Sequence, residues 1–320
     1  MKRILLLLLA SALTLCAQNP PEPPAQSGQQ PAAGAAAQEM TNYMEHVNAP
    51  TYTDMHCSGY VSKQAPNASN YVISSKESPA SGQFAQGDTL FLTGSGYQEG
   101  ARYSVVRATQ DPNKMEMFPG QHAAMLETGQ PYANMGIIRV QAIRGNTTLA
   151  VVEFSCSAIT AGDYVVPFQE PQQVSFRPAS QMNEWPSDTP AVAGRIIMAK
   201  DFDAVVATGH KVYLNVGADK GVKPGDYFRI VRYYDPKKLD QIEAFSYRLP
   251  QGDEYNKNAL KVPPARYKEF PRLAVGEAVV LSVTPTSSTV MITTALRGMN
   301  VGDYVELEGA AAPASGGGQR

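Results

Sequence analysis

Apolar and polar positions alternate with a period of two along short stretches of this chain. No segment sustains an apolar stripe at i, i+3, i+4. In Lys211-Val212-Tyr213-Leu214-Asn215 the two kinds interleave residue by residue. The pattern predicts strands over 56–62, 71–74, 89–93, 103–109, 136–143, 147–155 and 164–168, and a second set over 194–200, 204–207, 211–216, 227–234, 274–284, 288–295 and 304–308. Turn residues sit between them, as in Lys223-Pro224-Gly225-Asp226 and at Gly145-Asn146. Short strands spaced by such turns predict an all-β chain built of small closed barrels. Only residues 35–47 suggest a helical turn or two.

The two sets are copies. Residues 136–166 and 276–306 follow one pattern at an ungapped offset of 140: Gly136 falls on Gly276, Val140 on Val280, Thr148 on Ser288, and Gly162-Asp163-Tyr164-Val165 on Gly302-Asp303-Tyr304-Val305. A fixed period reports architecture. The expected organisation is a signal peptide over 1–17, a Pro/Gln/Ala linker over 18–50, β module 1 over 51–168, a connector over 169–190, β module 2 over 191–308 and a disordered tail over 309–320. The linker and tail lack the apolar side chains needed to offset ordering entropy. The connector is broken by prolines at 171, 178, 186 and 190, with Trp185 as a candidate anchor. Each module also inserts a long excursion, 113–135 in the first and 237–272 in the second. Loops of that length in a compact domain are commonly functional.

Composition narrows the class. A net charge of −2 over 320 residues argues against nucleic acid as a partner. Lys2 and Arg3 before the apolar run 4–17 form an export signal too short to span a bilayer. Cleavage after Ala17 is one reading; acylation of Cys16, giving a membrane anchor through lipid, is the other. Both send the chain to the periplasm or outer envelope. Cys57 and Cys156 then form an even pair in an oxidising compartment, either bridged or buried as free thiols. The repeat aligns Cys156 with Leu296 and, loosely, Cys57 with Val192. It predicts an apolar Val192–Leu296 contact in place of the bridge.

Module 2 carries Val212-Tyr213-Leu214-Asn215-Val216-Gly217, Gly221-Val222-Lys223-Pro224-Gly225-Asp226-Tyr227-Phe228, Arg229-Ile230-Val231-Arg232, Gly276-Glu277, Ser287-Ser288 and Gly302-Asp303-Tyr304-Val305. In these residues it resembles the C-terminal β-domain of bacterial flagellar assembly protein T, and module 1 resembles it more distantly. The resemblance implies an exported envelope protein with an assembly or binding task.

Candidate chemistry is sparse. The pairs Gly87-Asp88, Gly162-Asp163, Gly225-Asp226 and Gly302-Asp303 read as strand-opening turns in which Asp accepts local backbone N–H bonds, in preference to acid–base carboxylates. Gly94-Ser95-Gly96-Tyr97-Gln98-Glu99-Gly100 looks like a phosphate loop, but Glu99 stands where the fingerprint needs glycine and a strand follows. Gly87-Asp88-Thr89-Leu90 resembles the start of a lysin motif, yet a strand continues where that module has a helix. His46, His56, His122 and His210 lack metal-ligand spacing, so no metal and no cofactor are expected, nor is any catalytic triad in evidence.

The excursion 237–272 holds eight Lys or Arg against five Asp or Glu, with Phe245, Tyr247, Tyr255, Tyr267 and Phe270 interleaved. Aromatics beside cations stack on sugars or enter a partner's groove; alternatively they pin the loop to its own barrel. The reading is a binding or scaffolding protein, not an enzyme, whose loops contact an envelope protein or a cell-wall or surface polymer. The binding residues expected are Phe118, His122 and Tyr132 from the first loop, and Tyr247, Tyr255, Arg266 and Tyr267 from the second. Direct peptidoglycan or polysaccharide binding is the alternative; an envelope hydrolase is a second alternative.

Overall fold

The computed structural model describes residues 49–310, apart from 78, 175, 178–181, 188–191 and 233–269. The expected signal peptide, the linker to residue 48 and the tail beyond 310 lie outside the described residues. So does the predicted 35–47 turn.

Module 1 begins with a one-turn helix, α1 (Tyr52–His56), capped by Thr51, whose hydroxyl accepts from Asp54 N while Asp54 accepts from Thr51 N. The expected strand over 56–62 shrinks to β1 (Tyr60–Ser62) because this cap starts a helix. Then come β2 (Tyr71–Ser75), β3 (Thr89–Thr93), β4 (Arg102–Ala108), α2 (Gln121–Thr128), β5 (Gln130–Arg144), β6 (Thr147–Ser155) and β7 (Tyr164–Pro167). Module 2 holds β8 (Ala193–Ala199), β9 (Val205–Val206), β10 (Lys211–Leu214), a 3₁₀ turn at Ala218–Lys220, β11 (Asp226–Arg232), β12 (Leu273–Val283), β13 (Ser288–Ala295), β14 (Met299–Asn300) and β15 (Tyr304–Ala310).

Both modules close into six-stranded barrels of one topology. Barrel 1 runs β5-β4-β7-β2-β3-β6 and returns to β5, with β1 added beside β5. Barrel 2 runs β12-β11-β15-β8-β10-β13 and returns to β12. The duplication reaches single bulges. The β5–β6 ladder slips between Ile137 and Ile138 and again after Val140; β12–β13 slips between Glu277 and Ala278 and after Val280. Such bulges bend a sheet so that it can close. Gly136 and Gly276 sit at the same crowded point. A Cβ there would lie 2.5 Å from Phe154 O in one and 2.5 Å from Thr294 O in the other.

Apolar side chains fill both interiors. Val72, Leu92, Val105 and Ile138 are fully buried in barrel 1; Ile196, Leu214, Ile230 and Val280 are fully buried in barrel 2. Each such burial contributes about 1.5–3 kcal/mol over exposure.

Candidate binding surface

The four Gly-Asp turns are structural. Asp88 accepts from Ala85 N, Asp163 from Thr160 N, Asp226 from Lys223 N and Asp303 from Asn300 N, all at 2.8–2.9 Å. Two of them do more. Asp163 takes a bidentate fork from Arg107 at 2.7 and 2.8 Å, and Arg107 also donates to Ala158 O. Asp303 takes the same fork from Arg232 at 2.8 and 2.6 Å, and Arg232 also donates to Gly298 O. Each barrel thus has a clasp between its third strand in chain order and the turn that opens its sixth, closed on a buried carboxylate.

The first excursion is spent inside the molecule. From β4 it crosses onto barrel 2, where Asn113 Nδ2 donates to Phe202 O at 3.3 Å and Gln121 Nε2 to Ile197 O at 2.9 Å. Phe118 is 4% exposed, with the Arg195 guanidinium 4.1 Å above its ring. A Cβ on Gly302 would stand 2.8 Å from that ring, so the slot needs glycine. The segment was expected to be loop, but Ala124, Met125 and Leu126 are good helix formers and make the eight-residue α2, with Ala124 and Met125 against barrel 2. Gly129 ends it beside the Ser62 backbone, where no side chain fits.

The edge of barrel 1 completes the joint. Backbone carbonyls around β1 accept four hydroxyls from barrel 2: Tyr213 on Ser58 O at 3.0 Å, Thr289 on Gly59 O at 3.0 Å, and Ser287 and Thr284 on Val61 O at 2.9 and 2.8 Å. Asp54 pairs with Lys211. Burial works against the Asp54 carboxylate, but Lys211 and the Thr51 bonds hold it below its ordinary range. Burial pushes the Tyr213 hydroxyl far up, so it acts as a donor throughout the ordinary pH range. Hydroxyls that meet these carbonyls offset the cost of burying both groups at the seam.

These positions revise the expected site. Phe118 lies within the joint. Tyr132 belongs to β5, which starts at Gln130, six residues before the expected strand; it is 4% exposed and stacks on Tyr60 at 5.3 Å. Neither is presented to a partner, because the chain itself covers both. His122 is on the surface, 3.6 Å from Glu116, whose carboxylate is lowered first by the backbone N–H groups of His122 and Gly120. Tyr247, Tyr255, Arg266 and Tyr267 lie outside the described residues.

Cys57 and Cys156 are joined, which ties the segment entering barrel 1 to the β6–β7 turn. The predicted Val192–Leu296 substitute rests on a wrong equivalence. Val192 O accepts from Leu307 N beside β15, and Leu296 is 38% exposed. The repeat partner of Asn134 is Ala274. Asn134 Nδ2 holds His56 O at 2.8 Å, and Ala274 N holds Glu184 O at 2.9 Å. The segment entering barrel 2 is therefore the one around Glu184, and the Glu184–Arg297 ion pair at 2.6 Å stands where barrel 1 has its disulfide. Arg177, paired with Glu277 and Glu308 and lying 4.2 Å over the Tyr227 ring, pins the connector. Trp185 does not; it is 54% exposed.

An open cleft of about 180 Å³ borders the joint, between Glu127 and Thr128 on one side and Val216, Asp219 and Lys220 on the other. It is below the roughly 300–1,000 Å³ of small-molecule sites. Among the described residues no group of three His, Cys, Asp or Glu is placed to hold a metal ion, and no helix is long and apolar enough to cross a membrane. No family model matches the chain, and no curated protein matches it.

Missing from the sequence-derived site is the outer face of barrel 1. Tyr71 and Ile73 are more than a third exposed there, beside half-buried Phe91 and Leu149. A signal for it exists: Tyr71-Val72-Ile73 and Leu90-Phe91-Leu92 are apolar on both faces of their strands, a pattern of strands covered on both sides.

Proposed function

We propose that this chain is an exported, envelope-associated binding or scaffolding protein whose two barrels form a rigid platform for contacts made on its outer surfaces. One observation carries this reading: both barrel interiors are filled by the chain's own apolar side chains, and the two barrels are fastened by buried hydroxyl–carbonyl bonds. A ligand then has no interior to enter, and recognition falls to the exterior. The disulfide is compatible with export to an oxidising compartment. By sequence, the contact segment is 237–272, where Tyr247, Tyr255, Arg266 and Tyr267 combine aromatic faces with cationic charge.

The test is co-sedimentation of the mature chain with purified cell wall, in parallel with affinity capture from solubilised envelope. Capture of envelope protein, lost on deletion of 240–268, is the expected result. Saturable binding to wall alone would establish the polymer as partner. Binding unaffected by the deletion would refute the segment's role.

A further inference from the structure

Residues 51–62 form a strap between the two barrels. Toward barrel 2, Ser58 O, Gly59 O and Val61 O accept the hydroxyls of Tyr213, Thr289, Ser287 and Thr284, and Asp54 pairs with Lys211. Met55 packs on the cluster of Tyr227, Val279, Leu281 and Met291, and Val61 is 1% exposed within the core of barrel 2. Toward barrel 1 the strap is held by the three-residue β1–β5 ladder, by the Asn134 bond to His56 O, by the Tyr52 and His56 rings against Phe154, and by the Cys57–Cys156 bond. Only the last of these is covalent.

The face under the strap matches it. β10 and β13 set Tyr213 beside Thr289, and both are buried. A Cβ on Gly59 would collide with the Tyr213 hydroxyl, so only glycine lets the strap come this close. Barrel 1 repeats the face on β2, β3 and β6. Val72 N donates to Asp163 O as Ile196 N donates to Asp303 O, and Phe91 pairs with Leu149 as Tyr213 pairs with Thr289. Both hydroxyls are absent there, and Ile73, the counterpart of Ile197, is 44% exposed against 1%. The hydroxyls stand where a strap uses them.

The covalent hold can be undone chemically. Cys156 is half-buried, whereas Cys57 is 8% exposed. A thiolate of a dithiol attacks Cys156 Sγ, the bond to Cys57 breaks, and Cys57 leaves as a thiolate that takes a proton. The second thiolate of the dithiol then displaces Cys156 from the mixed disulfide. The dithiol is oxidised, and both cysteines are reduced. The strap then has one covalent link to the barrels, its continuation at Lys63. A segment held in that way opens locally at a smaller cost than the barrels unfold.

We propose that Cys57–Cys156 is a redox lock on this strap. Oxidised, it keeps residues 51–62 seated on the β10–β13 face of barrel 2. Reduced by a dithiol, it lets the strap lift and uncovers Tyr213, Thr284, Ser287 and Thr289. Residues 109–129 keep the barrels together in both states, through Phe118 and Gln121. Under the export proposed above, the strap closes on arrival in an oxidising compartment. The lock does not depend on that reading, and its test involves no partner.

The test is acetylation of tyrosine hydroxyls by N-acetylimidazole on the mature chain, mapped by mass spectrometry with and without prior reduction in place by dithiothreitol. Tyr213 should react at least about tenfold faster in the reduced chain. Tyr103, buried in barrel 1 and bonded to Gly96 O, should keep its rate. Reoxidation should restore the protection of Tyr213, and Cys57→Ser with Cys156→Ser should reproduce the reduced chain. Where that double variant loses the circular dichroism spectrum of the parent, the reduced parent decides. An unchanged Tyr213 rate in the reduced chain would overturn the proposal, because the noncovalent ties would then seat the strap alone. Equal acceleration of Tyr213 and Tyr103 would overturn it too, since barrel 1 would be opening as a whole. So would a bond that dithiothreitol fails to reduce in the folded chain.

Discussion

The two barrels agree where the sheet must close and differ where the chain enters it. Both use the Arg–Asp clasp, the same bulges and the same crowded glycine, because strand tilt and ladder stagger leave little freedom in a barrel this small. The entering segments are tied unlike each other, by a disulfide in barrel 1 and by the Glu184–Arg297 ion pair in barrel 2. Closure is a constraint on backbone geometry and tolerates few solutions. Tying down a passing segment is a constraint on position only, and several chemistries satisfy it.

Breaking the two ties in parallel should give the widest separation. Cys57→Ser with Cys156→Ser opens a loop of sequence separation 99 and should cost roughly 4 kcal/mol in urea unfolding. Glu184→Ala removes a pair whose side chains are 57% and 44% exposed and should cost at most about 1 kcal/mol. Equal losses would mean that the ion pair matches the disulfide in strength and that the ties differ in name only.

The clasps should behave alike. Arg107→Leu strands the nearly buried Asp163, and Arg232→Leu strands Asp303. A fully buried pair broken on one side costs about 3–5 kcal/mol, but both arginines are about a third exposed, which lowers the expectation to about 2–3 kcal/mol for each. A difference of more than about 2 kcal/mol between the two would show that one barrel closes without its clasp.

What the sequence discloses follows the same division. The strands, the turns at Asp88, Asp163, Asp226 and Asp303, and the twofold architecture are local or periodic, and the alternation of side chains reports them directly. Phe118, Tyr132 and α2 are otherwise. Their surroundings come from the far side of a joint with barrel 2, and a loop that is buried by another module has the same composition as one facing a partner. Cys57 and Cys156 stand out in the sequence as an even pair, whereas their counterpart escapes the repeat because no strand among the described residues of barrel 2 answers to β1. Barrel 1's outer strip was visible as two runs apolar on both faces, which only the comparison with covered β8 and β10 turns into a surface.

The joint itself separates hydroxyl chemistry from packing. Tyr213→Phe keeps the ring in place and removes the donor to Ser58 O, leaving that carbonyl unmet in the seam. The expected loss is about 1–2 kcal/mol. Phe91→Tyr makes the reverse exchange at the equivalent position of barrel 1, where no seam exists among the described residues, and should change stability by less than about 0.5 kcal/mol. No loss at Tyr213→Phe would put the contribution in the ring and not in the hydrogen bond.

The smallest expected contrast is with pH, and it belongs to barrel 1 alone. His56 is buried between the Tyr52 ring at 4.0 Å and the Phe168 ring at 5.9 Å. Burial lowers its pKa, Arg102 lowers it further, and Glu170, 3.9 Å away, opposes them. The folded chain therefore holds a neutral imidazole that the unfolded chain protonates more readily. Its contribution is complete above the unfolded value of about 6.5 and is lost as pH falls through that value toward the lower folded one. Urea midpoints of the parent chain between pH 7.5 and pH 5 should fall more steeply than those of His56→Gln, whatever the offset between them. Barrel 2 has no counterpart: His210 takes the place of Asp88 in its turn and accepts from Ala207 N at an exposed site. Parallel slopes for parent and variant would show that the ring charges freely where it stands, and that the entering segment of barrel 1 is looser than its contacts indicate.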